Sequence, residues 1–321
     1  MRNNRLKRDG ETVYHCMSRI VGGEFLLDNE AKTILCKQMW QMAQFCGIEI
    51  LTFCIMSNHF HILIRVPEKP SLSNNALLEK IEKLYHQDDY ELLMMKNIFN
   101  HGSEERIEAL REQLLARMFD ISIFMKELKQ RFSIWYNKNH NRYGTIWADR
   151  FKSIIVENKR HSMEMVAAYI DLNPVRAGLI DDPKKYHFSG YAQAMSGLTR
   201  SRIGIMKVVH EGQCGKKALA EYRELLFGKG AVSQKPHQAS INGNLTMNVL
   251  QKKGDLSKTE LLYCKVRYFS DSLIFGSEAF IKQCIRTNTN ALSHRKETEP
   301  KQMVGGNWGG LMTLRSVKNL Q

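Results

Sequence analysis

The stretch Ile48-Glu49-Ile50-Leu51-Thr52-Phe53-Cys54-Ile55-Met56-Ser57-Asn58-His59-Phe60-His61-Ile62-Leu63-Ile64-Arg65-Val66 decides the fold. Ile48 to Met56 is an apolar run rich in β-formers and predicts a buried strand. Ser57-Asn58 is a turn signal. His59 to Val66 is a second strand, closed by Pro67. Two strands joined by so short a turn make a hairpin. Along a strand successive side chains alternate faces. His59, His61, Leu63 and Arg65 therefore share one face, and Phe60, Ile62, Ile64 and Val66 the other. The second face is uniformly apolar and packs on a core.

Working outward, Thr12 to Ile20 reads as a strand broken by Gly22-Gly23. Asp28 is a helix N-cap. Ala31, Ile34, Leu35, Met39, Met42, Ala43 and Cys46 then recur at helical spacing up to Gly47. On the far side, residues 71–117 are charged and helix-prone and predict a helical insertion. Ile121, Phe124, Met125, Leu128, Phe132 and Trp135 mark an amphipathic helix. Phe151 to Val156 is a further strand, and Ser162 opens a helix running to about Asn173, where Pro174 intervenes. Strand, helix, hairpin, helix, strand, helix is an α+β layout with a central antiparallel sheet, for which a ferredoxin-like arrangement is economical. Lys216–Phe227, Ser257–Tyr268 and Ser277–Ile285 predict a helical C-terminal region, 197–286. The last two of these helices are a candidate for a helix-turn-helix DNA-binding module. Residues 287–321, polar with a Gly-rich segment, predict a flexible tail.

The 321 residues carry a formal net charge of +14. An excess of that size points to a polyanionic partner, nucleic acid before an anionic membrane surface. No apolar run is long enough for a transmembrane helix. The seven cysteines form no Cys-x-x-Cys pair and are odd in number, which speaks against a zinc module or a disulfide framework and suits a reducing cytoplasm.

Three features could carry chemistry. His59 and His61 lie side by side on one strand face, within reach of one divalent cation; taken alone, they read as well as two polar residues on a solvated face. Tyr169 and Asn173 are four apart on a predicted helix and so point the same way, one offering a nucleophile and the other an oxygen ligand. Taken alone, Asn173-Pro174 reads equally as a helix cap and Tyr169 as a half-buried aromatic. Finally, Arg131 to Lys152 interleaves basic and aromatic residues. Phe132 and Trp135 belong to the core stripe. Arg142, Arg150 and Lys152 lie off it and are the candidates for DNA contacts.

These features occur, in order, within four longer matches: Tyr14-His15-Cys16-Met17-Ser18-Arg19, Met56-Ser57-Asn58-His59-Phe60-His61-Ile62-Leu63, Gly144-Thr145-Ile146-Trp147-Ala148-Asp149-Arg150-Phe151-Lys152-Ser153 and Tyr169-Ile170-Asp171-Leu172-Asn173-Pro174-Val175-Arg176-Ala177-Gly178. Over roughly Thr12 to Ser196 the chain resembles the REP-associated tyrosine transposases, a branch of the single-tyrosine HUH transposase superfamily. The resemblance implies an HUH endonuclease core within a catalytic domain spanning 1–196. It implies metal ligation of magnesium or manganese by His59, His61 and Asn173, and nucleophilic attack by Tyr169 on single-stranded or hairpin DNA through a 5′-phosphotyrosine. It is compatible with a monomer or a homodimer. A domesticated, non-catalytic hairpin binder and a metal phosphodiesterase that activates water are the competing classes.

Overall fold

The protein is described by a computed structural model over residues 6–209, 215–227, 268–292, 298–303 and 308–315. Its centre is one seven-stranded sheet. Four of the strands form the expected core: β1 (Thr12–Arg19), β2 (Glu49–Ile55), β3 (His59–Val66) and β4 (Lys152–Val156). Their order is β2-β3-β1-β4, and every pairing among them is antiparallel. Helix α1 (Asn29–Cys46) connects β1 to β2. Beyond β3 come α2 (Asn74–Glu82), α3 (Tyr90–His101) and α4 (Glu104–Leu115), which form the helical insertion. Helix α5 (Ile121–Asn139) then leads into β4. This is the ferredoxin-like split βαβ arrangement.

Local sequence explains these elements. Asp28 accepts from the Ala31 N–H at the start of α1, and Gly47 closes that helix in the left-handed region (φ 67°), which glycine adopts without steric cost. Asp120 caps α5 in the same way, through the Ser122 and Ile123 N–H groups.

The sheet is covered on both faces. Phe60, Ile62, Ile64 and Val66 pack with α1, α5 and the insertion in one core, as the alternation predicts. The opposite face is a second core. It is built from α6 (Arg160–Asp171), α8 (Gly190–Met195), α9 (Thr199–Val209) and α10 (Gly215–Phe227), with α7 (Asn173–Arg176) following α6. Helix α9 sits unusually close to β2. A Cβ on Gly204 would meet the backbone oxygen of Ile50 at 2.7 Å and would strike that of Leu51.

The structure departs from the sequence-based expectation in three places. First, the helix predicted to run to Asn173 ends at Asp171, and Asn173 opens the separate one-turn α7. Pro174 has no N–H and its ring crowds the preceding turn, so one continuous helix is interrupted there. Tyr169 and Asn173 are thus not on one unbroken helix face. Second, the C-terminal region is not wholly helical. β5 (Ser272–Gly276) runs parallel to β4, and α12 (Glu278–Thr287) follows it after the short α11 (Tyr268–Asp271). The segment Phe269–Ser277 is therefore a sheet strand with its flanks, not a turn between two helices. Residues 257–267 of the proposed helix-turn-helix lie outside the described residues. Third, the expected tail contributes β6 (Lys301–Gln302) and β7 (Met312–Arg315), the latter antiparallel to β5. The strands are short and one of them buries Thr313, a pattern that period-2 hydrophobicity does not reveal.

Candidate active site

The site lies where α6 crosses the sheet. In the β1–β3 ladder His59 pairs with Arg19, His61 with Met17 and Leu63 with His15. Met17 in turn pairs with Lys152 of β4. Directly paired residues of an antiparallel ladder share a face. His15, Met17, Arg19, His59, His61 and Lys152 therefore share the face that α6 covers. Lys152 sits two strand spacings, roughly 10 Å, from His61.

His59 is half-buried and His61 buried, so the two imidazoles do not stand on an open, solvated face. Their rings lie with centroids 5.1 Å apart at an interplanar angle of 87°. Nδ1 of His59 is 2.6 Å from Asn58 Oδ1, and Nδ1 of His61 is 2.9 Å from His15 Nε2. With each Nδ1 engaged by a neighbour, a metal held by these rings would be bound through Nε2, the usual outer-shell pattern around a metal-binding histidine. Burial holds His61 well below the usual imidazole range, reinforced by the charges of His15, His59, Arg176 and Arg19. Burial likewise pushes His15 down to about 3. Neutral imidazoles are the ligating form, so this donor set fits a divalent metal. Among the described residues no three His, Cys, Asp or Glu side chains converge as a cage. A third protein donor would have to come from another group, such as an amide.

Tyr169 is brought onto this pair. Its ring centroid is 5.8 Å from that of His61 and 6.1 Å from that of His15. On the other side it packs on Phe269 at 4.7 Å, and the residue is only 6% exposed. Burial raises the phenol above its ordinary value. The Arg176 guanidinium opposes that rise, and Asp271 adds to it. Asn173 is half-buried, and its Nδ2 donates to the carbonyls of Tyr169 and Ile170 at 3.4 and 3.3 Å.

His15 and Arg176 also belong to this site, although nothing in their local sequence assigns them a role. His15 alternates onto the histidine face of β1, a signal that becomes readable once β1 is known to pair with β3. Arg176 lies with its guanidinium carbon 4.2 Å from the Tyr169 ring centroid, and its Nη2 donates to the Tyr169 carbonyl. The two are seven apart, a helical spacing, but the break at Leu172 sets their relation instead.

Helix α6 is held in place by a buried carboxylate. Asp171 accepts from Thr52 Oγ1 at 3.0 and 2.9 Å, from the Tyr191 N–H at 3.2 Å and from Tyr222 Oη at 2.7 Å. Burial raises Asp171 to about 7 against the pull of those hydrogen bonds.

The candidate DNA contacts are less closely gathered. Lys152 is exposed on the histidine row, 3.7 Å from Asp271. Arg150 is exposed just before β4. Arg142 lies in the loop after α5, 3.6 Å from Glu24. Arg19, exposed beside His59, is a cation that charge composition alone does not single out.

Known proteins resemble the chain in part. No curated protein matches the chain. Among solved structures, one described as "Structure of the REP associates tyrosine transposase bound to a REP hairpin" aligns with 75% of this chain and 100% of its own, at 14% identity and a TM-score of 0.38. Residues 10–99 match the family described as "Transposase IS200 like". That span holds β1 to β3 and so includes His15, His59 and His61; it ends before Tyr169. Over that segment, which carries its strand histidines, the chain is similar to the IS200-like transposases.

Proposed function

We propose that the protein is a metal-dependent transposase/endonuclease that nicks and rejoins single-stranded DNA at hairpin sequences through a 5′-phosphotyrosine intermediate. The observation that carries this reading is the seating of the Tyr169 ring against His61, beside a second imidazole. His59, His61 and Asn173 would hold magnesium or manganese. When bound, such an ion polarises the phosphodiester under attack. Tyr169 supplies the nucleophile: its Oη–P bond forms as the P–O3′ bond breaks. The phenolic proton is lost to solvent, and the leaving 3′ oxygen takes one up. Phosphodiester energy is kept in the phosphotyrosine, so a 3′-OH can reverse the step without ATP. Arg142, Arg150 and Lys152 neutralise backbone phosphates along the approach. Catalysis belongs to residues 1–196 in this reading, as a monomer or a homodimer. Among the described residues Cys16, Cys36, Cys46, Cys54 and Cys284 are buried and in no disulfide, which suits a cytoplasmic setting. No helix among the described residues is long and apolar enough to cross a membrane.

A second reading has its own observation. The cover of Phe269 over Tyr169, and the return of the Asn173 amide to helix carbonyls, would suit a hairpin-binding protein without catalysis. One experiment separates the two: a denaturing gel of protein with labelled single-stranded hairpin DNA from repeats flanking the gene, plus manganese, wild type beside Tyr169→Phe. Label travelling with wild type and not with the variant supports the enzyme. Cleaved DNA without an adduct points to a water nucleophile. Binding without either product supports the non-catalytic binder.

A further inference from the structure

We infer that Arg176 is a further catalytic residue, whose guanidinium binds the non-bridging oxygens of the phosphodiester attacked by Tyr169. This rests on the reading of Tyr169 as nucleophile. Three observations support it. The guanidinium lies over the Tyr169 ring at 4.2 Å, so it travels with the nucleophile. Its Nη2 is anchored on the Tyr169 backbone carbonyl, which fixes the fork. The side chain is half-buried, neither sealed in the core nor free in solvent.

The guanidinium lies against a ring that itself rests on His61, so its charge is beside the place where the phosphate must sit. As Oη attacks, negative charge accumulates on the non-bridging oxygens before the 3′ oxygen departs. A preorganised cation aimed there acts on the transition state more than on the ground state. A guanidinium is suited to the task because it has five donors in a rigid fork. One donor can hold a carbonyl while others serve a phosphate, an arrangement that lysine does not reproduce. The break between α6 and α7 gives the residue its place. Pro174 ends the helix, the chain turns within one residue, and Arg176 folds back onto the ring it follows by seven positions.

The test uses the full-length protein and a labelled hairpin oligonucleotide whose cleavage position has been mapped with wild type. Single-turnover adduct formation is measured for wild type, Arg176→Gln and Arg176→Lys. Each is tried on the natural linkage and on a methylphosphonate at the scissile position, which removes one charged oxygen. Arg176→Gln should bind the hairpin as wild type does yet form adduct about 100-fold more slowly on the natural linkage. Arg176→Lys should fall between them. On the neutral linkage the Gln variant should regain the wild-type rate, an effect that a purely structural role cannot produce. Wild-type rates for Arg176→Gln on the natural linkage, or equal slowing on both linkages, would overturn the assignment while leaving Tyr169 as nucleophile. If the Gln variant does not fold, a wild-type rate for Arg176→Lys on the natural linkage overturns it instead. Absence of adduct from wild type itself removes the Tyr169 reading and this inference together.

Discussion

His15 Nε2 lies 2.9 Å from His61 Nδ1, so a buried imidazole on β1 orients the ring proposed as a metal ligand on β3. The pair is formed by strand pairing and not by sequence proximity. If His61 binds metal through Nε2, its Nδ1 proton points at His15. Replacing His15 with alanine should weaken metal-dependent nicking by about 10- to 100-fold, chiefly through metal affinity. A manganese titration of cleavage measures this, and an unchanged midpoint would show that His15 only fills space.

Asp171 and Tyr222 are joined at 2.7 Å, and Thr52 and the Tyr191 N–H complete the carboxylate's shell. Asp171→Ala leaves these buried donors without an acceptor, each at a cost of about 1–3 kcal/mol. We expect a total loss of at least ~3 kcal/mol in urea unfolding, and a smaller loss in Asp171→Asn, which keeps one acceptor oxygen. A loss below ~1 kcal/mol in the alanine variant would mean that water replaces the carboxylate.

Glu157 ties the core sheet to the C-terminal region. Its carboxylate accepts from the Ser277 N–H at 2.7 Å, from Ser277 Oγ at 2.9 Å and from Lys159 Nζ at 2.9 Å. Burial raises this group, but those contacts outweigh it and hold Glu157 below the usual carboxylate range. A depressed value contributes stability that is present above the unfolded pKa and lost as pH falls through the folded one. The docking of β5 and α12 should therefore loosen on acidification below about pH 4. Glu157→Gln should flatten the acid limb of the curve of melting temperature against pH. A limb as steep as that of wild type would assign the acid sensitivity to other carboxylates.

Arg150 and Lys152 precede and open β4 on exposed positions. If they neutralise phosphates of single-stranded DNA, each alanine variant should lower the slope of log affinity against log salt by about 0.7 and weaken binding alike for all sequences. Fluorescence anisotropy from low to moderate salt reads both effects. An unchanged slope would remove the residue from the interface.

Much of the core was legible because it is local. The alternation in His59–Val66 predicts which residues enter each layer, and Phe60, Ile62 and Ile64 indeed pack on α1 and α5 while Leu63 faces α6. Asp28 and Gly47 bound α1 as capping chemistry requires. The insertion is helical as its composition demands. β5 was not legible: Ser272–Gly276 is five residues with no alternation, and it is a strand because β4 and β7 offer it ladder partners.

The sequence by itself determined the ferredoxin-like order of elements and the placing of His59 and His61 on one strand face, since strand period and helix period are properties of neighbouring residues. Only the tertiary structure decided that Tyr169 rests on His61, that His15 supports that histidine, that Arg176 turns back onto the tyrosine and that Phe269 closes over it. These contacts join residues brought together by sheet register, by the packing of α6 and by the break at Pro174. Burial across such distances is settled by the folded core as a whole, and no local spacing encodes it.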